Sequence, residues 1–304
     1  MTDMTVFQQK ISALIPDIEL KMNEPMTKHT SFKIGGGAEV MAFPKNAEEL
    51  SAILKASALL DVKPAILGAG TNVLAPDAGI TGLVICLKDC LEGMEKLEGD
   101  RIRVAAGVTM TRAAVFAANH GLSGLEFAHG IPGTVGGGVY MNAGAYGGEL
   151  ANSFVRGRFL NKDGEIIELT RNEMDFGYRK SIMQKEPLVL ISATFKAEKG
   201  DKAEIRAQMD TLMAKRKASQ PLEYPSCGSA FKRPEGHYAG ALIEQCGLKG
   251  VSVGGAQVSV KHAGFVINAG NATATDVISL LALVSDTVFE KTGVRLEPEI
   301  RIIK

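Results

Sequence analysis

The stretch GIPGTVGGGVYMNAGAYGG, Gly130 through Gly148, decides how the rest of the chain is read. It is the centre of a run from Phe127 to Gly148, 22 residues without Asp, Glu, Lys or Arg. That length suits a membrane span, but eight glycines and Pro132 exclude a stable spanning helix. Uncharged backbone so nearly bare of side chains either packs against other backbone or wraps a large flat ligand, and the density of glycine favours the ligand. A second glycine segment, Gly68-Ala69-Gly70-Thr71-Asn72, follows a strand expected at Pro64 to Leu67. Here glycine lets backbone N–H groups approach a phosphate with no Cβ in the way. It is not a dinucleotide fingerprint: the third glycine of GxGxxG is replaced by Val73, and Pro76, Gly79 and Gly82 leave no room for the helix that would hold a pyrophosphate. Neither segment ends in GK[ST], which removes the nucleoside triphosphatase reading.

Composition narrows the classes further. The chain has 304 residues with 34 Lys plus Arg against 34 Asp plus Glu, so no net field is available for phosphate neutralisation and nucleic-acid binding is not expected. An apolar share of 45% with 22% charged residues is that of a globular protein with a sizeable core, and the length fits about two domains. Cys86, Cys90, Cys227 and Cys246 form no CxxC pair, which points to a reducing compartment. The five histidines, at 29, 120, 129, 237 and 262, show no HxxxH or HExxH spacing, so no metal is expected. No signal peptide or membrane span is read, and the expected location is the cytoplasm.

Periodicity gives the elements. Met4 to Leu14 has apolar residues at helical spacing; Glu39 to Phe43 reads as a strand, Asn46 as the cap of a helix to about Leu59, and Pro64 to Leu67 as the next strand of a βαβ unit. Strands follow at Leu83 to Leu87, Arg101 to Ala105, Ser153 to Leu160, Glu165 to Leu169 and Leu188 to Phe195, with a helix from Thr109 to His120. Asp163-Gly164 predicts a hairpin with a tight primed turn. Ala197 to Asp201 is the expected linker, leading into a helix to about Lys217. A long amphipathic helix is expected from about Thr275 to Lys291 and a closing strand from Glu299 to Ile302. The pattern is α+β with antiparallel pairing.

Three further motifs are ambiguous one at a time. The Arg179-Lys180 pair of GYRKS reads alone as a solvated face, the serine of CGSAFKRP as part of an ordinary loop, and LEPEIR as an exposed edge strand. Cys227 reads as a small space-filling neighbour of that loop.

Taken in order, GAGTNVL, GIPGTVGGGVYMNAGAYGGE, GYRKS, CGSAFKRP and LEPEIR resemble the UDP-N-acetylenolpyruvoylglucosamine reductase (MurB) family, in its shorter subclass, from Thr27 through Arg301. The resemblance implies a two-lobed FAD-binding fold of the PCMH/vanillyl-alcohol-oxidase type plus an α+β substrate-binding domain. It places the FAD-binding domain at residues 1–199, with lobes of about 1–63 and 64–199, the substrate-binding domain at 200–298, and a terminal strand, 299–304, returning to the FAD-binding lobes. The implied activity is NADPH-dependent reduction of the enolpyruvyl ether of a UDP-sugar through noncovalent FAD.

Carried over by motif, Arg179, Ser229 and Glu299 are the expected catalytic residues. Arg179 and a protonated Glu299 would stabilise an enolate, and Ser229 would give a proton to its C2. Gly68, Ala69, Gly70, Thr71 and Asn72, with Ile131, Pro132, Gly133 and Thr134, would hold the pyrophosphate. Asn142, Ala143 and Gly144 would line the flavin, and Tyr178, Lys232 and Arg301 would contact substrate. Two rival classes use the same fold: a flavin-dependent sugar or alcohol oxidase, and a non-catalytic FAD-carrying relay subunit. The GSAF serine and the LEPE ending favour reduction.

Overall fold

The computed structural model describes residues 4–303, which divide into two compact units. The first gathers the residues up to Lys21, Val40–Ala69 and Gly82–Lys215; the second gathers Met22–Glu39, Gly70–Thr81 and the residues from Arg216 on. The architecture is α+β, and each unit has its own apolar cluster.

Six helices begin in the first unit: α1 (Met4–Leu14), α2 (Ala47–Leu59), α3 (Met110–Asn119), α4 (Val135–Met141), α5 (Leu150–Ser153) and α6 (Lys202–Ser219). Asn46 caps α2 as its sequence demands, its side chain accepting from the Glu49 N–H at 2.8 Å. The strands flanking α2, Gly37–Phe43 and Ala65–Leu67, lie in one four-stranded sheet, but they are not neighbours: Ile80–Cys86 runs between them, parallel to Ala65–Leu67. The expected βαβ unit is thus completed by a third strand.

A five-stranded antiparallel sheet follows the order 166–170, 154–160, 189–196, 101–105, 94–97. Its alternation sends Ile102, Val104, Phe159, Leu190 and Phe195 into the core. The opposite face carries the ion pairs Arg156–Glu168 at 3.2 Å and Arg103–Glu95 at 3.1 Å, as a one-sided sheet should. On the core side α3 buries Ala113, Ala114, Ala117 and Ala118.

Two expectations need correction here. The hairpin at Asp163-Gly164 exists, but only Gly164 has positive φ (+71°), and the Gly164 N–H donates to Asn161 O at 3.0 Å. This is a type I turn closed by a glycine bulge rather than a primed turn. The primed geometry occurs at Tyr146-Gly147, with φ of +53° and +87°, joining Gly144–Ala145 to Gly148–Glu149. The expected linker is also structured: Glu198–Lys199 pairs with Leu122–Ser123.

The second unit contains α7 (Ala239–Gln245) and α8 (Ala274–Thr292) with an antiparallel sheet in the order 226–229, 265–268, 256–258, 252–253. Helix α8 opens with a capping box of Thr273 and Asp276 and closes on Gly293 at φ +73°. Val277, Leu280, Leu281, Val284 and Val288 are buried, the stripe its spacing foretold, each contributing about 1.5–3 kcal/mol. Residues 70–81 are tied to this helix, because the Asp77 carboxylate accepts from the Ala274 and Thr275 N–H groups at 2.6 and 2.9 Å. The closing strand is shorter than expected: only Arg301–Ile302 pairs, parallel to Val73–Leu74.

Candidate active site

In the first unit the two glycine segments meet at one hydroxyl. Thr134 is buried and caps α4, accepting from the Gly137 N–H at 3.4 Å. A Cβ on Gly68 would meet only the Thr134 Oγ1, at 2.9 Å, and a Cβ on Gly137 would meet only the same atom, at 3.7 Å. Both glycines thus keep a side chain away from that hydroxyl, as a phosphate-binding turn requires. The end of α4 itself is not what receives an anion. Its Val135 and Gly136 N–H groups donate to Val108 O and Ala106 O, both at 2.8 Å. The bridge between Thr109 and Thr134 is made by Met110 N to Gly133 O and Val135 N to Val108 O, so the Thr134 N–H stands outside the pairing. These bonds also explain a helix with three glycines among seven residues: tertiary contacts, not propensity, hold it.

Asn142 ends α4 at φ +42°, a left-handed position that asparagine tolerates, and is fully enclosed. Its amide is committed to the protein: Nδ2 donates to Gly177 O at 3.0 Å and Oδ1 accepts from the Ala151 N–H at 2.9 Å. The Ala143 N–H donates to Gly138 O at 2.8 Å, and Gly144 pairs with Glu149. Asn142 thereby ties the predicted flavin-lining segment to the loop that carries Arg179.

That loop is a tight turn. Gly177 and Lys180 exchange backbone bonds, both 3.1 Å, leaving Tyr178 and Arg179 at the tip. Arg179 has φ +54° while Tyr178 does not, the type II pattern in which the second central residue is ordinarily glycine. An arginine there costs about 1 kcal/mol, so the surroundings must hold it. Its Nη2 donates to Gly144 O at 3.2 Å and its guanidinium lies 5.0 Å from the Tyr178 ring. Behind the turn, Asp175 binds Lys180 at 2.9 Å and Lys185 at 2.8 Å, and these two ammonium groups, Lys185 foremost, bring its carboxyl down to about 2.

The second unit assembles the other two expected catalytic residues. Ser229 ends the strand Ser226–Ser229 opposite Phe265, just after a register shift at which Gly228 takes φ +77°. The next residue, Ala230, receives the Glu299 N–H at its carbonyl at 2.9 Å, and Phe231 bridges Pro298. Ser229 and Glu299 therefore lie on paired segments. Asn72, expected at the pyrophosphate, donates from Nδ2 to Glu299 O at 3.3 Å and receives the Arg301 N–H at its own carbonyl at 3.0 Å. Lys232 forms an ion pair with Glu297 at 3.0 Å, and Arg301 is exposed. Cys227 is buried, its thiol pushed up to about 12, so it is inert filling.

Several residues that matter here escaped sequence reasoning. Ser31 joins Ser226 O, at 2.6 Å, to the glycine segment through its N–H on Gly70 O, at 3.1 Å. Gln184 and Ser181 both donate to Tyr140 O, at 3.0 and 2.8 Å. Ser31 and Gln184 sit in no motif that marks them, and Ser181 closes GYRKS without a role read from its sequence. Among the described residues no group of three or more His, Cys, Asp or Glu is placed to hold a metal ion, and no helix is long and apolar enough to cross a membrane.

Comparison with known proteins finds two matching families. Residues 38–170 match the FAD binding domain family, and residues 220–303 match the C-terminal domain of UDP-N-acetylenolpyruvoylglucosamine reductase. Fold and matches together define an FAD-containing oxidoreductase of α+β architecture, with an FAD binding domain and a distinct C-terminal domain. Reductases of that name from Lachnoclostridium phytofermentans and Listeria innocua are each 46% identical to the chain, over 98% and 96% of it and 97% and 98% of their own lengths. The crystal structure of the Thermus caldophilus enzyme, MurB, superposes with a TM-score of 0.79 at 33% identity, covering 94% of this chain and 99% of that one. The chain belongs to the UDP-N-acetylenolpyruvoylglucosamine reductase family.

Proposed function

We infer that the protein reduces the enolpyruvyl ether of UDP-N-acetylglucosamine to UDP-N-acetylmuramate with NADPH, a step in building peptidoglycan and thus in cell-wall growth, shape and division, in the cytoplasm. The observation that carries this is one chain joining an FAD binding domain to the reductase C-terminal domain, at 46% identity over nearly its whole length. We place flavin binding in residues 1–199, substrate binding in 200–298, and in 299–304 a terminal strand returning to the FAD-binding lobes, a reading supported by the pairing of Arg301–Ile302 with Val73–Leu74.

When bound, FAD supplies a hydride relay, from NADPH to C3 of the enolpyruvyl double bond. The chain's residues do the rest. Gly68–Asn72 and Ile131–Thr134 hold the pyrophosphate, a role supported by Gly68 and Gly137, which keep side chains away from the Thr134 hydroxyl. Asn142, Ala143 and Gly144 line the flavin. Arg179 presents a planar fork of donors to the negative charge that spreads from C2 into the substrate carboxylate. Glu299, in its protonated form, adds a hydrogen bond to that charge. Ser229 delivers the proton to C2; a hydroxyl is a weak acid, but its partner is a strongly basic carbanion, and solvent replaces the proton. Tyr178, Lys232 and Arg301 contact the substrate's remaining polar groups, Lys232 exchanging its Glu297 partner for a substrate anion.

Anaerobic rapid mixing of each half-reaction on Ser229→Ala tests this reading. Flavin bleaching by NADPH should stay near the parent rate, while recovery on adding the enolpyruvyl sugar nucleotide falls by about 10²–10⁴. Equal loss in both halves, or none in the second, removes Ser229 from the proton-donor role. A parent protein that bleaches with NADPH but is not reoxidised by the sugar nucleotide is a relay subunit instead.

A further inference from the structure

We propose that Gln184 is a positioning residue that fixes Arg179 in its left-handed conformation, and so sets where the guanidinium points. The proposal rests on the reading of Arg179 as catalytic. The turn Gly177–Lys180 is closed by a single reciprocal pair of backbone bonds with no ladder on either side, which is too little to define a conformation in water. Arginine at the second central position favours the alternative type I turn, reached by rotating the Tyr178–Arg179 peptide and taking Arg179 to negative φ. Something outside the turn must therefore select the observed form.

Gln184 is placed to do so. Its Nε2 donates to Arg179 O at 2.9 Å and to Tyr140 O at 3.0 Å, engaging both amide hydrogens. One bond seizes the peptide of the strained residue itself; the other anchors it to the last turn of α4. The glutamine is in turn held by its own N–H on Ser181 O at 3.2 Å, while the Ser181 hydroxyl shares the Tyr140 carbonyl. Asn142 grips the opposite leg of the turn at Gly177 O. Between these two carboxamides the Arg179 side chain runs to Gly144 O, within the segment expected to line the flavin. The two close acceptors of Gln184 Nε2 are carbonyl oxygens, with the Met141 sulfur more distant at 3.9 Å, so a donor is required at this position.

Three variants test the proposal in the flavin-loaded protein. Gln184→Met keeps the length of the side chain and loses the donor. Its flavin content, thermal midpoint and reduction by NADPH should match the parent, while reoxidation by the enolpyruvyl sugar nucleotide slows about 10- to 10²-fold, the cost of a misplaced group. In an Arg179→Ala background the same change should add nothing, because residues that act as one unit are not additive. A full additional loss there, or equal slowing of both half-reactions, overturns the proposal. If Arg179→Ala alone leaves reoxidation unchanged, the catalytic reading of Arg179 fails first and the positioning role falls with it.

Gln184→Glu gives an independent readout. An ionised carboxylate facing two carbonyl oxygens is repelled, which raises its pKa, and only the protonated form can donate. Measured against the parent at each pH, the reoxidation rate of Gln184→Glu should recover as the pH falls through that raised value. A deficit that does not change with pH means that the side chain matters only for packing, and overturns the proposal.

Discussion

Two turns of the first unit, Asn161–Glu165 and Gly177–Lys180, each place one residue in the left-handed region, and they fill that position in opposite ways. In the first it is Gly164, at φ +71°, with the neighbouring helix so close that a Cβ would lie 2.5 Å from Ser51 O. In the second it is Arg179, at φ +54°, where nothing about the turn itself asks for a long charged side chain. The first turn needs only to reverse the chain, and glycine is the relaxed answer. The second accepts strain, and two side-chain amides brace it. A strained residue supported by its surroundings marks a place where the side chain, not the fold, was the requirement.

The comparison can be broken most severely at Arg179. Replacing it by glycine should relieve the backbone and remove the donor fork together. Reoxidation of the reduced flavin by substrate should fall about 10²–10³-fold, while the thermal midpoint stays at or above the parent's. Loss of both would mean that the arginine holds the turn rather than being held by it.

The reverse substitution sharpens the other half. Gly164→Ala forces a methyl group into the left-handed region against Ser51, and should destabilise the folded protein by about 1–3 kcal/mol in denaturant titration. The folded fraction should turn over at the parent rate; a slowed half-reaction would show that this turn too serves the chemistry.

The smallest effect is expected at Asp175, whose ion pairs brace the base of the Arg179 turn from solvent. Because its folded-state value is lowered to about 2 from 3.8, its contribution is complete above the ordinary value and is lost as the pH falls through about 2. Carbon NMR of the labelled carboxyl should give a midpoint near 2 that rises with added salt, since the pairs are exposed. A midpoint near the ordinary value at low salt would remove Asp175 from the brace. Asp175→Asn should change either half-reaction about twofold or less, as suits an exposed pair.

Much of this was legible in the sequence where local chemistry decides. Asn46 marks its helix because capping is a matter of two or three neighbouring residues, whereas the Thr273 cap of α8 lies just before the start that spacing alone suggested. The glycine segments announced a ligand, and the structure adds that Gly68 and Thr134 adjoin. What stayed hidden depends on residues distant in the chain. Helix α4 has poor propensity and exists because its first N–H groups find carbonyls of residues 106 and 108. Asp163-Gly164 looked like a primed turn because the pair so often is one, while Tyr146-Gly147 adopts that geometry with a tyrosine no turn rule would choose. Asn142 reads as a ligand contact by its place in the motif, yet its amide faces inward to Gly177 and Ala151. Gln184 carries no signal at all, since its meaning lies in which two carbonyls it reaches.

The bond from Asn72 to Glu299 spans 227 positions, and it fixes an order of events during synthesis. The second unit is built from three stretches, and the first unit takes the residues before the first of them and the intervals between them. A nascent chain that has reached residue 215 already contains the whole first unit, which can fold while the ribosome continues. Its residues 22–39 and 70–81 must wait for partners not yet made. Closing that wide loop is easier once the intervening chain has become compact. The first unit is thus free to mature early, whereas Gly70–Asn72, expected at the pyrophosphate, wait with the second unit, and the Glu299 carboxylate is the last of the three expected catalytic groups to arrive.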